Sequence, residues 1–287
     1  MAGRAQAPLH PPPSPCRKPH PRKHLRAALL CTFGLATAAA TASAQDRLSN
    51  PLRIAVEGGY PPFSVVGTDG QVKGFDIDIA NALCERIKLK CQQVQVEFDA
   101  MIPGLRAKKF DAIVASMSIT PERLKAVDFT HKYYNTPARL VARVDAKFEG
   151  TAEGLKGRRI GVQRGTIHDR YATAQFKGAE IVRYSKQDEV FLDLLSGRIE
   201  ARLADVVAID QGFLKTPAGK GYALRGPVYD DPAYFGIGAG IALRKGDTAL
   251  QSALNGALAA LRADGSYQKI AAKYFDFDIY GAELPRK

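Results

Sequence analysis

Arg53-Ile54-Ala55-Val56-Glu57-Gly58-Gly59-Tyr60-Pro61-Pro62-Phe63 is the stretch that decides the fold class. Its first four residues have the character of a short buried strand, and the Gly-Gly and Pro-Pro pairs that follow cannot continue one. A helix is then expected to start at Asp76, because Ile79, Leu83 and Ile87 recur on one face at helical spacing. Strand, loop and helix in that order open a βαβ unit. Further along, Asp111-Ala112-Ile113-Val114 and Arg159-Ile160-Gly161-Val162 read as buried strands ending in polar loops. Gly150 to Gly157 opens a second βα series, and the Gly-, Pro- and Asp-rich run from Gly226 to Gly240 reads as a return crossing. Thr248 to Arg262 and Ser266 to Tyr274 read as helices. The pattern predicts an α/β protein with parallel or mixed sheets and no internal repeat.

The 287 residues, 46% of them hydrophobic, suffice for one large domain or two ordinary ones. The first 44 residues differ from the rest. They are Pro-rich and basic through Lys23, apolar from Ala27 to Ala40, and end in Ala42-Ser43-Ala44. This reads as a secretory signal peptide cleaved after Ala44, with an apolar run short of the roughly 20 residues a spanning helix needs. The leader carries six basic residues and no acid, so its removal lowers the net charge from +12 to +6. The remaining basic residues are interleaved with acids, which argues against nucleic-acid binding. Two of the four cysteines, Cys16 and Cys31, leave with the leader. Leu29 and Leu30 stand before Cys31 where a lipidation signal wants small residues. Cys84 and Cys91, at a helix end and the next strand's start, are expected to pair in an oxidising compartment, the alternative being two buried thiols.

Gly74-Phe75-Asp76-Ile77-Asp78-Ile79-Ala80, Asp111-Ala112-Ile113, Ser116-Met117-Ser118-Ile119-Thr120-Pro121-Glu122-Arg123 and Ala263-Asp264-Gly265-Ser266-Tyr267 occur in a fixed order. With these motifs the chain, from about residue 52 to residue 281, resembles the polar amino-acid solute-binding proteins of bacterial ABC importers, family 3. Within them it is most similar to the lysine/arginine/ornithine-binding and histidine-binding proteins, which share the Cys84 and Cys91 pair. The resemblance implies a periplasmic, monomeric, two-lobed protein of the type II binding-protein fold, its lobes joined by two hinge strands. Residues 45–136 with 237–287 would form one lobe and residues 137–236 the other. The expected partners are a basic L-amino acid and a membrane permease, with no cofactor, metal or catalytic residue.

The resemblance also assigns a site. Arg123 aligns with the arginine that grips the ligand's α-carboxylate, to which a guanidinium fork is suited. Asp205 aligns with the aspartate that receives the α-ammonium. Ser116 and Ser118 follow strand 111–115, and Thr166 and Ile167 belong to a turn whose N–H groups bind the same carboxylate. Glu57 stands where basic-amino-acid binders carry an aspartate, and Tyr60 and Phe98 match two aromatics that sandwich the ligand's aliphatic stem. Read as bare residues, Arg123 is a surface arginine, Asp205 an acid among apolar residues, Tyr60 and Phe98 core aromatics and Thr166 a helix cap. The chain departs from the pattern at Ala115, where several relatives have a serine, at His168, which replaces a glutamine, and at Gln163, which replaces an apolar residue and could serve a guanidinium. Two rival readings share the fold: an opine-binding protein, which Asp205 would oppose, and a cyclohexadienyl or arogenate dehydratase. The second finds no Gly-x-Ser-x-Gly elbow, phosphate loop or clustered metal ligands in the sequence.

Overall fold

In the computed structural model, which describes residues 48–281, the opening stretch forms strand β1 (Leu52–Val56). The expected leader, its cleavage point, Cys16 and Cys31 lie outside the described residues. Beyond β1 the chain turns into a small three-stranded meander of β2 (Gly59–Tyr60), β3 (Ser64–Val66) and β4 (Val72–Lys73). Helix Phe75–Arg86 follows and buries Ile79 and Leu83 as their spacing predicts. It starts one residue earlier than expected. Gly74 precedes it at φ 131°, and a Cβ there would meet the Phe63 carbonyl oxygen at 2.4 Å, so only glycine fits. Asp76 therefore sits inside the first turn, fully buried, and caps nothing.

The first sheet continues with β5 (Cys91–Gln95), helix Phe98–Arg106, β6 (Ala112–Ile113), helix Pro121–Leu124 and β7 (Asp128–Tyr134). The chain then crosses to a second sheet. There it lays down β8 (Ala138–Arg143), β9 (Arg159–Gln163), helix Ile167–Gln175, β10 (Glu180–Tyr184), helix Gln187–Leu195, β11 (Ala201–Asp205), helix Val206–Ile209 and β12 (Tyr222–Tyr229). The run read as a return crossing holds the end of β12 and helix Pro232–Phe235, and it delivers β13 (Ala239–Leu243) to the first sheet. Helices Thr248–Ala263 and Ser266–Ala271 close the chain, the latter ending short of the expected Tyr274.

Both sheets have five strands, in the orders β5-β1-β6-β13-β7 and β10-β9-β11-β8-β12. Each contains a parallel triplet, β5-β1-β6 or β10-β9-β11, beside a strand that runs antiparallel to it, β13 or β8. Parallel neighbours need crossover helices, which is why strands and helices alternate through both halves. Apolar clusters pack on the sheets, and Val207 and Ala208 from beyond β11 join the cluster built around β1 and helix Phe75–Arg86. Cys84 and Cys91 form a disulfide, with Cα atoms 6.0 Å apart, which excludes the free-thiol alternative. Among the described residues no helix is long and apolar enough to cross a membrane.

The loops that matter leave the C-terminal ends of the parallel strands. Glu57 follows β1, Ser116 lies past β6, Gln163 ends β9 and Asp205 ends β11. In open α/β sheets this is where ligands bind.

Candidate ligand-binding cleft

These strand ends face one another across a narrow cavity lined by Glu57, Tyr60, Phe98, Ser116, Ser118 and Arg123 from one side and by Gln163, Thr166, Ile167, His168 and Asp205 from the other. Every residue expected at the site lines it, together with Ala115 and Gln187.

Arg123 belongs to helix Pro121–Leu124, whose start is fixed by Pro121 and by the Thr120 hydroxyl accepting from the Arg123 N–H at 3.3 Å. The side chain is buried rather than on the surface. Its Nη1 donates to the Ser118 carbonyl at 3.0 Å, its Nη2 donates to the Gly165 carbonyl across the cleft at 3.3 Å, and the guanidinium lies 5.4 Å from the Phe98 ring centroid. Burial lowers its pKa to about 10, so it stays charged at neutral pH. Facing it, helix Ile167–Gln175 opens on Thr166, whose hydroxyl accepts from the Asp169 N–H at 3.2 Å and donates to the Gln163 carbonyl at 2.8 Å. Thr166 is thus both a cap and a cleft residue. Helix geometry leaves the N–H groups of Ile167 and His168 without intrahelical acceptors, and with the helix dipole they favour an anion.

Asp205 is held by two hydroxyls, that of Tyr60 from the opposite side of the cleft and that of Thr136, which donates at 3.0 Å. The His168 Nε2 lies 3.8 Å from the Asp205 carboxylate, and burial keeps that imidazole's pKa below its usual value. Ser116 contributes differently from expectation. It adopts φ 54°, and both its donors are spent inside its own half of the molecule: the hydroxyl donates to Asp76 at 2.9 Å and the N–H to the Tyr133 oxygen at 3.1 Å. Tyr133 also donates to Asp76, at 2.9 Å. The buried carboxyl, its pKa raised to about 7 by desolvation, thereby ties the Ser116 loop to helix Phe75–Arg86.

Burial raises Glu57 to about 7 against its model-compound value of 4.5, although the hydrogen bond from Gln163 opposes the shift. Gln163 donates through Nε2 to Glu57 and, at 3.1 Å, to the Ser185 carbonyl, while its Oε1 accepts from Gln187 Nε2 at 2.6 Å. Gln163 therefore presents N–H and not a carbonyl to the Glu57 side of the cavity. It steadies the carboxylate and offers no acceptor to a guanidinium. Tyr60 and Phe98 are each buried in an apolar cluster and each line the cavity.

Gln187, Thr136 and Asp76 were not singled out as site residues. Their roles come from partners 24, 69 and 40 residues away, and no local pattern in the sequence announces such partners. Among the described residues, no group of three or more His, Cys, Asp or Glu could hold a metal ion.

The sequence profile of the bacterial extracellular solute-binding proteins, family 3, matches residues 52–277. The chain belongs to that family. A family 3 relative, the L-arginine-binding protein of Pseudomonas aeruginosa, is 51% identical over 89% of this chain and 98% of its own length. The histidine-binding periplasmic protein of Escherichia coli is 45% identical over 90% of this chain and 98% of its own length. Among solved structures, a periplasmic binding protein of Salmonella typhimurium described for its high arginine specificity superposes with a TM-score of 0.74. It is 36% identical and covers 79% of this chain and 100% of its own. This family 3 chain thus has the two-lobed type II binding-protein fold, and its relatives are binding proteins rather than enzymes.

Proposed function

We propose that the protein captures a basic L-amino acid in the periplasm and passes it, as a monomer, to the permease of an ABC importer, with L-arginine the first ligand to test. The observation that carries this reading is the presence of Arg123, Asp205 and Glu57 in one cavity. A zwitterion with a third, distal charge needs a cation for its carboxylate, an anion for its ammonium and a second anion for the side chain, because each charge must be compensated once water is expelled. In this reading Arg123 and the helix start at Thr166, Ile167 and His168 take the α-carboxylate, Asp205 takes the α-ammonium, and Glu57 takes the distal cation. Tyr60 and Phe98 flank the aliphatic stem and add cation–π attraction of roughly 0.5 to 2 kcal/mol.

Capture would proceed by hinge closure, with residues 45–136 and 237–287 moving against 137–236 about the two crossings. Gly236 and Gly238 suit the return crossing, with φ of 75° and 113°; a Cβ on Gly236 would meet the Ile119 carbonyl oxygen at 2.0 Å. A thermal-shift screen of the twenty common amino acids with ornithine, citrulline and opines tests the reading, since a ligand of the folded state raises the melting temperature. Arginine, ornithine and lysine should raise it most. A response confined to neutral amino acids or opines would reject the assignment, and turnover of prephenate or arogenate would reject binding as the sole activity.

A further inference from the structure

Behind the cleft lies a cation that the ligand reading does not use. Arg202 is 1% exposed, on β11, three residues before Asp205. Its guanidinium stacks over the Phe191 ring at 3.6 Å and donates through Nη2 to Gln187 Oε1, while Nε and Nη1 meet no hydrogen-bond acceptor among the described residues. A buried charge so sparsely partnered is costly and calls for a role.

The hydrogen bonds leading away from it suggest one. Arginine can only donate, so Gln187 must turn its carbonyl to Arg202 and its N–H to Gln163 Oε1. Gln163 must then turn its own N–H groups outward, where the Ser185 carbonyl and Glu57 both accept them. A donor-only group at one end and a carboxylate at the other give every amide in the row the same orientation. We infer that Arg202, acting through Gln187 and Gln163, is the positioning residue that holds Glu57 as an aimed acceptor and so sets the preference for a cationic over a neutral side chain. Electrostatics runs the same way, since Arg202 draws the Glu57 pKa down, against burial and the nearby acids Glu97 and Asp188. Lys186 lies 3.5 Å from Glu97 and faces that acid rather than the relay.

The inference rests on the proposed binding of a basic amino acid, and the experiment separates the two. Calorimetric dissociation constants for L-arginine and its neutral isostere L-citrulline are compared in the wild type, Arg202→Met, Arg202→Lys and Gln187→Met. Arg202→Met removes the charge and every donor but leaves an unbranched side chain to fill the space beside Phe191, and Gln187→Met cuts the relay with Arg202 in place, so either variant suffices should the other fail to fold. Both cut variants should lose about tenfold in the arginine-to-citrulline ratio, the scale of one hydrogen bond to a charged group, and Arg202→Lys should restore most of it. The pH midpoint for arginine binding should also rise in Arg202→Met. If the wild type binds arginine but a folded cut variant keeps the ratio, or binds arginine more tightly because a repelling charge has gone, the inference is overturned. If the wild type binds no basic amino acid, the functional reading fails instead.

Discussion

At the scale of single residues, Glu57 is the group whose charge state decides the most. Its pKa in the folded protein is about 7, above the 4.5 of an unperturbed glutamate, so folding favours the protonated form. The stability this contributes is full below about pH 4.5 and is lost as pH rises through 7. A cationic ligand needs the opposite form, so its affinity should fall as pH drops from 8 to 6, while Glu57→Gln should bind more weakly at pH 8 and with a shallower dependence across that window, the remainder belonging to Asp76. Calorimetric titrations at several pH values check this, and an unchanged slope in Glu57→Gln would assign the dependence elsewhere. Arg123→Ala takes away the cation proposed to hold the α-carboxylate through two charge-assisted hydrogen bonds, each contributing about 1.5 to 3 kcal/mol. Binding should fall by at least about a hundredfold with the circular-dichroism spectrum unaltered.

Ser116, Ser118 and Arg123 were legible in the sequence because they lie in one uninterrupted motif, Ser116 to Arg123. Arg202 and Gln187 were not, because their function is to orient another residue's partner. Gln163 turns its N–H rather than its carbonyl to the Glu57 side, and which face of an amide meets the cleft depends on neighbours distant in sequence.

At the scale of elements, period and punctuation located the principal strands and helices, while end effects set the remaining errors. The helix expected at Asp76 begins at Phe75 because Gly74 supplies a backbone turn that no other residue can make beside the Phe63 carbonyl. The helix expected to reach Tyr274 stops at Ala271. The disulfide ties the C-terminal turn of helix Phe75–Arg86 to the first residue of β5. A bridge between residues seven apart closes a short loop, and the chain-entropy account gives it roughly 2 to 3 kcal/mol. Reduction with dithiothreitol should therefore lower the melting temperature by about 5 to 10 °C, and an unchanged melting curve would mean that helix packing alone holds this corner.

At the scale of the molecule, the contacts across the cleft indicate where closure is tightest. Tyr60 meets Asp205, Gln163 meets Glu57, and Arg164 comes within 3.6 Å of Asp99 at the rim. Gly212 packs so closely on Pro61 that a Cβ would lie 3.1 Å from the proline ring and 3.2 Å from its carbonyl oxygen. Gly212→Leu should thus hold the halves apart, weakening ligand binding by about 5- to 150-fold, the cost of a strained contact of about 1 to 3 kcal/mol. The melting temperature without ligand should stay near wild type, and small-angle scattering with saturating ligand should show a larger radius of gyration than the wild type. Wild-type affinity in this variant would place the limiting contact elsewhere.

The double crossing also gives the two halves different histories during synthesis. β13 pairs with both β6 and β7, so until residues 239–243 leave the ribosome the first sheet lacks a central member and β7 has no partner in it. β8 to β12 emerge earlier as one uninterrupted block that can already form all of its own pairings. The half of the protein translated first is therefore the last whose sheet can be completed, and β7 and the free edge of β6 wait across more than a hundred residues until the final strand arrives.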